Sequence, residues 1–187
     1  LVSLAMLAAL TCGAHAQDSP VTAAATTETS AGADQALDLG TKVPDSTTIK
    51  EGLFPEDACK ELEASGFKCM GFKPAIRYSL PASSFSLGSS IVPDGLKRQL
   101  DVFADVLRSK RGSGRQVRVI GHADASGSQA GNLSLSRSRA EAVKAYLVQK
   151  GAESGMLVAV GVGAAQPKNA SNPKSPENRR VEIGRQN

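Results

Sequence analysis

Two segments of the chain place apolar side chains every three or four residues, which is the period of an amphipathic helix. The first set is Leu96, Leu100, Phe103 and Leu107, and the second is Ala140, Val143 and Leu147. Pro93-Asp94 is a start signal for the first helix, while Gly112 and Gly151 lie just beyond the two ends. We therefore expect two helices that each bury one face in a core.

Four shorter segments are typical of strands. Ala75 to Phe85 alternates apolar and polar residues, with Pro81 marking an end or an irregularity. Val117 to Ile120 and Leu157 to Val162 are short apolar runs, and Arg179 to Arg185 alternates apolar with charged residues, which predicts a half-exposed last strand. The order strand, helix, strand, helix, strand, loop, strand predicts an α/β (α+β) two-layer sandwich with the helices on one sheet.

The first sixteen residues contain no charged side chain and end in Ala14-His15-Ala16, the small-x-small pattern of a signal peptidase site. We interpret residues 1–16 as an N-terminally incomplete signal peptide, cleaved before Gln17. The alternatives are a lipoprotein signal acylated at Cys12 and an apolar core helix. The longest apolar run, from Leu4 to Leu10, is far shorter than the roughly 20 residues of a membrane-spanning helix, so we expect no such span.

Residues 17–50 predict a flexible, disordered tether. This segment is rich in Ala, Thr, Ser and Asp, and it lacks aromatic residues. Its large apolar residues are Val21, Leu37, Leu39, Val43 and Ile49. So few apolar groups predict a segment that does not form a core of its own.

Residues 51–73 predict a short helix, from near Pro55 to Gly66, followed by a turn to Cys69. Export would remove Cys12 with the signal and leave Cys59 and Cys69 in an oxidising compartment. We therefore expect a Cys59 to Cys69 disulfide within this segment, which makes it a stapled lead-in to the domain at 74–187.

The charge of the chain is uneven. Residues 17–50 carry five acidic and two basic side chains, so with a net charge of +4 overall and an uncharged signal, the remainder carries +7. A basic cluster comprises Arg108, Lys110, Arg111, Arg115 and Arg118. No aromatic residue lies beside it as a stacking platform, so we expect no nucleic-acid binding. The cluster predicts a solvated face, or attraction to the anionic cell wall.

The segment Val117 to Leu147 carries the candidate chemistry. It places Asp124 just past a strand end and Arg139 early in the next helix, whose side chains lean toward its N-terminus. Ser126 and Asn132 add neutral hydrogen-bonding groups between them. A carboxylate facing a guanidinium suits a zwitterionic amino-acid head group. Alternatively, the two residues form a structural salt bridge.

A wider set of residues resembles the OmpA-like peptidoglycan-binding domain of OmpA, Pal and MotB. The matching positions are Gly121-His122-Ala123-Asp124, Gly127, Asn132, Leu135-Ser136, Arg139-Ala140, Tyr146-Leu147, Gly161, Gly163, Pro167 and Asn178-Arg179-Arg180-Val181-Glu182-Ile183. The resemblance covers about residues 74–187. It implies a β-α-β-α-β-β domain with a mixed sheet.

The resemblance also implies a ligand, the diaminopimelate of the peptidoglycan stem peptide. Asp124 and Arg139 occupy the positions that hold it, and Ser126 and Asn132 match positions near it. An arginine of the last strand is implied nearby, and we assign Arg180. The implied setting is the periplasm of a Gram-negative bacterium, in association with the outer membrane.

Other kinds of site receive less support. His122 and Asp124 could begin a metal site, but the mature chain has no second histidine, so we expect no metal, no other cofactor and no enzymatic activity. The functional alternative is an interaction or signalling module that binds another envelope protein. Neither the tether nor residues 51–73 is needed to hold a stem peptide, which motivates that alternative.

Overall fold

The computed structural model describes residues 36–185, apart from residues 72, 82–84 and 87. The predicted signal peptide, Cys12 and residues 17–35 of the predicted tether lie outside the described residues. The elements run in the order β1 (Leu37–Asp38), α1 (Ser46–Leu53), α2 (Glu56–Ala64), β2 (Tyr78–Pro81), α3 (Asp94–Arg108), β3 (Val117–His122), α4 (Gln129–Gln149), β4 (Leu157–Gly161) and β5 (Arg180–Arg185). None of the described helices is long and apolar enough to cross a bilayer.

The strands form one mixed sheet in the order β1-β2-β5-β3-β4. β5 lies antiparallel to both of its neighbours, with Tyr78 opposite Ile183 and His122 opposite Arg180. β3 and β4 are parallel, and α4 provides the crossover between them. In this arrangement the last residues of β3 and β4 and the first residues of β5 lie at the same end of the sheet.

The core lies between one face of this sheet and the helices. The sheet contributes Tyr78, Leu80, Val117, Val119, Val181 and Ile183, while α3 contributes Leu96, Leu100, Phe103 and Leu107, and α4 contributes Ala140, Val143 and Leu147. These include all of the apolar positions that predicted the two helices. The two-layer sandwich with a mixed sheet is confirmed.

The prediction of a half-exposed last strand is wrong. β5 occupies the middle of the sheet, and even its charged residues Arg180 and Glu182 are buried. Alternation along the strand places Val181 and Ile183 in the core and these two charged residues on the opposite face. They are tolerated there because they pair with each other, with Arg180 Nε 2.7 Å from Glu182 Oε1.

The predicted tether includes residues 36–50, and the structure shows that these residues are ordered. Leu37–Asp38 pairs in parallel with Tyr78–Ser79, and α1 buries Ile49 in the core. Asp45 caps α1 by accepting a hydrogen bond from the Thr48 amide. A short apolar segment can therefore be ordered by joining a core that other elements build.

Residues 51–73 are attached to the domain by ion pairs and contain an internal disulfide. α2 buries none of its residues, and its Cys59 is joined to Cys69 by a disulfide. Near the start of α2, both terminal nitrogens of Arg115 donate hydrogen bonds to the Asp57 carboxylate, at 2.7 and 3.1 Å. Lys110 Nζ lies 2.6 Å from the same carboxylate. Much of the predicted basic cluster is thus engaged in ion pairs.

Candidate functional site at the end of strand β3

Asp124 lies in a loop that hydrogen bonds hold on both sides. Directly after β3, the Ala123 amide donates to the Gly163 carbonyl at 2.8 Å, and the Ala125 amide donates to Pro173 at 2.9 Å. From α4, Asn132 Nδ2 donates to the Asp124 carbonyl at 2.9 Å. The backbone that carries the carboxylate is therefore fixed before any ligand binds.

Close packing of α4 on the sheet sets the position of this loop relative to Arg139. A Cβ atom on Gly121 would lie 2.0 Å from the Ser136 carbonyl oxygen, and one on Gly161 would lie 2.4 Å from the Arg137 nitrogen. Glycine at both positions allows the helix backbone to approach the strands. Ser128 caps the helix by accepting from the Gly131 amide, at 3.1 Å.

The carboxylate of Asp124 is held by an arginine that we did not select from the sequence. Arg179 Nη1 donates to its Oδ2 at 2.6 Å, and the Ser126 amide donates to its Oδ1 at 2.9 Å. Burial alone would raise the pKa of Asp124, but these hydrogen bonds outweigh it and lower the pKa below the ordinary value. Asp124 is therefore ionised at neutral pH.

Arg139 is almost completely buried, with 2% of its surface exposed. Its Nε donates to the Ser89 carbonyl at 3.0 Å, its Nη2 donates to Ser86 at 3.4 Å, and its guanidinium lies 5.1 Å from the centre of the Phe85 ring. Its Nη1 is buried without a partner among the described residues. Burial, and then the charge of Arg179, lower the pKa of Arg139, while the charge of Asp124 opposes this shift.

The structure brings most of the predicted site residues together. Asp124, Ser126 and Asn132 are linked by hydrogen bonds, and the charge of Asp124 reaches Arg139, although no direct Asp124 to Arg139 salt bridge forms. Asn132 positions the loop and Ser126 is exposed at its tip.

Arg180 lies elsewhere, on the opposite face of the sheet, where it contacts Glu182 and the Gln166 carbonyl. Strand alternation could have distinguished the two arginines. Because Val181 and Ile183 face the helices, Arg180 must face away from them, and Arg179 is the arginine on the side of Asp124.

A cavity of about 460 Å³ adjoins the Asp124 loop. It lies between the start of α4 and the segment that follows β4, and its lining includes Gly127, Gln129, Asn132, Leu133 and Gly163. Asn132 is the lining residue that also contacts Asp124, whereas Asp124, Arg139 and Arg179 do not line the cavity.

His122 is buried beneath the opposite face rather than in the candidate site. Burial lowers its pKa, so the imidazole is neutral at pH 7, and its Nε2 lies 3.5 Å from Glu182 Oε1. Within the described part of the chain, no three His, Cys, Asp or Glu side chains are grouped so that they could hold a metal ion.

Comparison with known proteins gives relatives that include a peptidoglycan-associated lipoprotein and an outer membrane protein. The peptidoglycan-associated lipoprotein of Pseudomonas aeruginosa is 36% identical over 101 residues, which cover 53% of this chain and 58% of that protein. Outer membrane protein A of Bordetella avium is 35% identical over 97 residues, covering 51% of this chain and 48% of that one. The chain thus matches about half the length of these relatives.

Solved structures share the fold. The OmpA-like domain of FopA1 from Francisella tularensis gives a TM-score of 0.50 at 23% identity, over 57% of this chain and 69% of that one. A putative MotB-like protein from Desulfovibrio vulgaris gives a TM-score of 0.51 at 22% identity, over 75% of this chain and 99% of that one.

The OmpA family model matches residues 84–180, just over half of the chain and nearly all of the elements that build the site. The chain belongs to the OmpA family.

Proposed function

We propose that this protein binds peptidoglycan non-covalently, through the diaminopimelate of the stem peptide, at Asp124 and Arg139. Family membership supports the ligand class, since one relative is named as a peptidoglycan-associated lipoprotein and another as an outer membrane protein. The proposed setting is the periplasm, in association with the outer membrane. No chemical step is part of this proposal.

One observation carries the choice of site. The guanidinium of Arg139 is buried, and among the described residues it forms no ion pair with a carboxylate and has one donor nitrogen without a partner. A buried cation of this kind is costly unless an anion completes its hydrogen bonds. A ligand carboxylate at Nη1 would supply that anion, and would add a charge-assisted hydrogen bond.

Asp124 offers the complementary charge for the ligand ammonium. Its two oxygens accept one hydrogen bond each from Ser126 and Arg179. An ionised carboxylate can accept about four hydrogen bonds, so an ammonium can bind without displacing Arg179. Arg179 would then lie next to the ligand, where its remaining donors could contact a second carboxylate.

The test is co-sedimentation of the full chain with purified sacculi, with free diaminopimelate as competitor. Asp124→Ala should weaken retention by an amount equivalent to about 2–5 kcal/mol, the usual loss when one partner of a buried charged contact is removed. Arg139→Lys keeps the charge but loses the planar set of donors, and should weaken retention without leaving a cavity. Competitor should release the wild-type protein.

Two surface variants control for general loss of charge. Asp105→Ala removes an exposed carboxylate of α3, and Arg98→Ala removes an exposed cation of the same helix. Both should sediment like the wild type. Wild-type retention of a folded Asp124→Ala protein would contradict the proposed site, and absence of wild-type sedimentation would contradict the proposed function.

A further inference from the structure

Strand β4 forms one edge of the sheet, and no strand among the described residues pairs with its outer side, which we call the β4 edge. Its inner side pairs with β3, and the Val162 amide continues this ladder by donating to the Gly121 carbonyl at 3.1 Å. Alternate residues of a parallel strand direct both backbone groups to the same side. The N–H and C=O groups of Ala159 and Gly161 therefore point outward.

The β4 edge lacks the charged side chains and proline by which proteins commonly protect an edge strand from pairing. The sequence of β4 is Leu-Val-Ala-Val-Gly, and each of its residues after Leu157 is partly exposed. Within the part of the chain that the structure describes, no other group bonds to the outward backbone groups of Ala159 and Gly161. Two donors and two acceptors are therefore available to an added strand.

Cations of α4 lie over this edge. A Cβ on Gly161 would lie 2.4 Å from the Arg137 nitrogen, so Arg137 lies over the end of β4. Because α4 runs in the opposite direction to the strands it connects, Lys144 lies on the same side of the helix, about 10 Å nearer to the start of β4. Neither cation forms an ion pair with a described residue. Glu141 lies between them, so this row carries two positive charges and one negative charge.

Apolar groups border the β4 edge on its other face and beyond its end. Leu157 belongs to the core, so alternation places Val158 and Val160 on the face that the helices do not cover, where both are partly exposed. The cavity of about 460 Å³ beside the Asp124 loop lies just past the end of β4. Its apolar lining residues are Leu133, Val162, Ala164 and Ala165.

We propose that the β4 edge binds an extended segment of another protein, in which apolar residues alternate with acidic ones. The segment would extend the five-stranded sheet by pairing with the outward backbone groups of β4. Its apolar side chains would pack beside the two valines of β4, and its carboxylates would pair with Arg137 and Lys144. The β4 edge includes neither Asp124 nor Arg139, so this proposal does not depend on the proposed peptidoglycan site.

A second copy of this chain is a poorer match for the same edge. Two β4 strands paired antiparallel would bring the end of one strand beside the start of the other. Arg137 of one copy would then lie near Lys144 of the other, and the two Glu141 side chains would lie near each other. Like charges would face each other at these positions, which opposes self-pairing and favours an acidic partner.

The test uses the ¹⁵N-labelled full chain and a heptapeptide of alternating valine and glutamate with blocked ends. Hydrogen exchange measured by NMR should slow at least about tenfold at the amides of Ala159 and Gly161 when the peptide is saturating, because these groups gain partners. A heptapeptide of alternating valine and lysine has the same period but the opposite charge. It should bind at least about tenfold more weakly.

Variants separate the charges from the backbone groups. Arg137→Gln and Lys144→Gln should each weaken binding of the valine–glutamate peptide about two- to fivefold, whereas Arg98→Gln, at an exposed cation of α3, should not change it. Ala159→Pro removes the outward N–H but no bond to β3, and should weaken binding at least about tenfold. Thermal unfolding shows whether this variant folds. A peptide N-methylated on its edge-facing residues should also fail to bind, and it tests the same bonds without changing the protein.

Unchanged exchange at Ala159 and Gly161 in millimolar peptide would overturn the proposal, as would equal binding of the glutamate, lysine and N-methylated peptides. A dimer in sedimentation velocity that Ala159→Pro dissociates would also overturn it, because a second copy would then occupy the edge. Asp124→Asn should bind the peptide like the wild type. Loss of peptide binding in a folded Asp124→Asn variant would place the peptide at the Asp124 site instead.

Discussion

The ionisation of Asp124 depends on Arg179. Burial raises the pKa of this carboxyl, and the hydrogen bond from Arg179 is the largest effect that lowers it. We predict that Arg179→Gln raises the pKa of Asp124, measured by ¹³C NMR titration of the side-chain carboxyl. Arg137→Gln, which removes an exposed arginine of α4, should leave it unchanged.

The same shift in the pKa of Asp124 determines how the stability of the protein changes with pH. The pKa of Asp124 is lower in the folded protein, so its contribution to stability is present above the unfolded value and is lost as pH falls through the folded value. The Arg179→Gln variant should therefore lose less stability than the wild type between pH 5 and the acid limit. An equal loss in both proteins would contradict the role given to Arg179.

The candidate site could be predicted in two of its charged positions, Asp124 and Arg139, but not in its contacts. The spacing of Asp124, Asn132 and Arg139 on a strand end and a helix indicated one polar region, and the structure places them there. The choice between Arg179 and Arg180 required the exact register of β5 beside β3, which depends on long-range pairing. The alternative, a structural Asp124 to Arg139 salt bridge, does not form, because Arg179, just before β5, reaches the carboxylate instead.

At the scale of elements, the contact of α4 with the sheet depends on glycine. We predict that Gly121→Ala lowers the free energy of unfolding by about 3 kcal/mol, the upper end of the usual cost of overpacking, because the new Cβ would meet the Ser136 carbonyl, a backbone atom that cannot rotate away. Urea unfolding followed by circular dichroism measures the loss. A variant as stable as the wild type would mean that α4 is free to move away from the strands.

Gly95→Ala provides the matched control for that experiment. Gly95 lies in α3, where a Cβ would meet nothing within 4 Å. Alanine is favoured over glycine in a helix, so this variant should be unchanged or more stable by up to about 1 kcal/mol. Opposite outcomes for the two substitutions would separate close packing from helix propensity.

The attachment of α2 to the domain should depend on pH. Hydrogen bonds from Arg115, with Lys110 close by, hold the pKa of Asp57 well below its usual range. We predict that Asp57→Asn costs about 1–2 kcal/mol at pH 7, and that the difference from the wild type shrinks as pH falls below about 4. Glu61→Gln, in an exposed pair of the same helix, should cost less than about 0.5 kcal/mol at any pH.

The elements themselves were predictable where a long apolar period existed. α3 and α4 bury the apolar positions that indicated them, whereas the two-residue β1 and the eight-residue α1 are too short to give a period. The first half of α4 buries Asn132, Ser136 and Arg139 on the core side. Hydrophobic periodicity cannot identify polar residues in such a face. Their burial depends on hydrogen bonds to backbone groups of loops outside the helix.

At the scale of the whole molecule, the domain begins earlier than the resemblance to its family indicated. The matched region starts at residue 84, and we placed the boundary at 74, yet Ile49, Leu53 and Phe54 lie fully within the core. Gln99 of α3 reinforces this attachment by donating to the carbonyls of Gly40 and Lys42, at 2.9 and 2.6 Å. Deleting residues 17–72 would therefore remove part of the fold, and cannot by itself reveal a partner-binding role for that segment.

Point substitutions in the full chain test this boundary without truncation. We predict that Ile49→Ala lowers the free energy of unfolding by about 2–5 kcal/mol, the usual cost of removing a fully buried aliphatic side chain. Val43→Ala, at a position with 52% exposure in the same segment, should change it by less than about 0.5 kcal/mol. If residues 36–54 were only a tether, both variants would unfold at the wild-type urea concentration, whereas a core segment requires that only Ile49→Ala shift the midpoint.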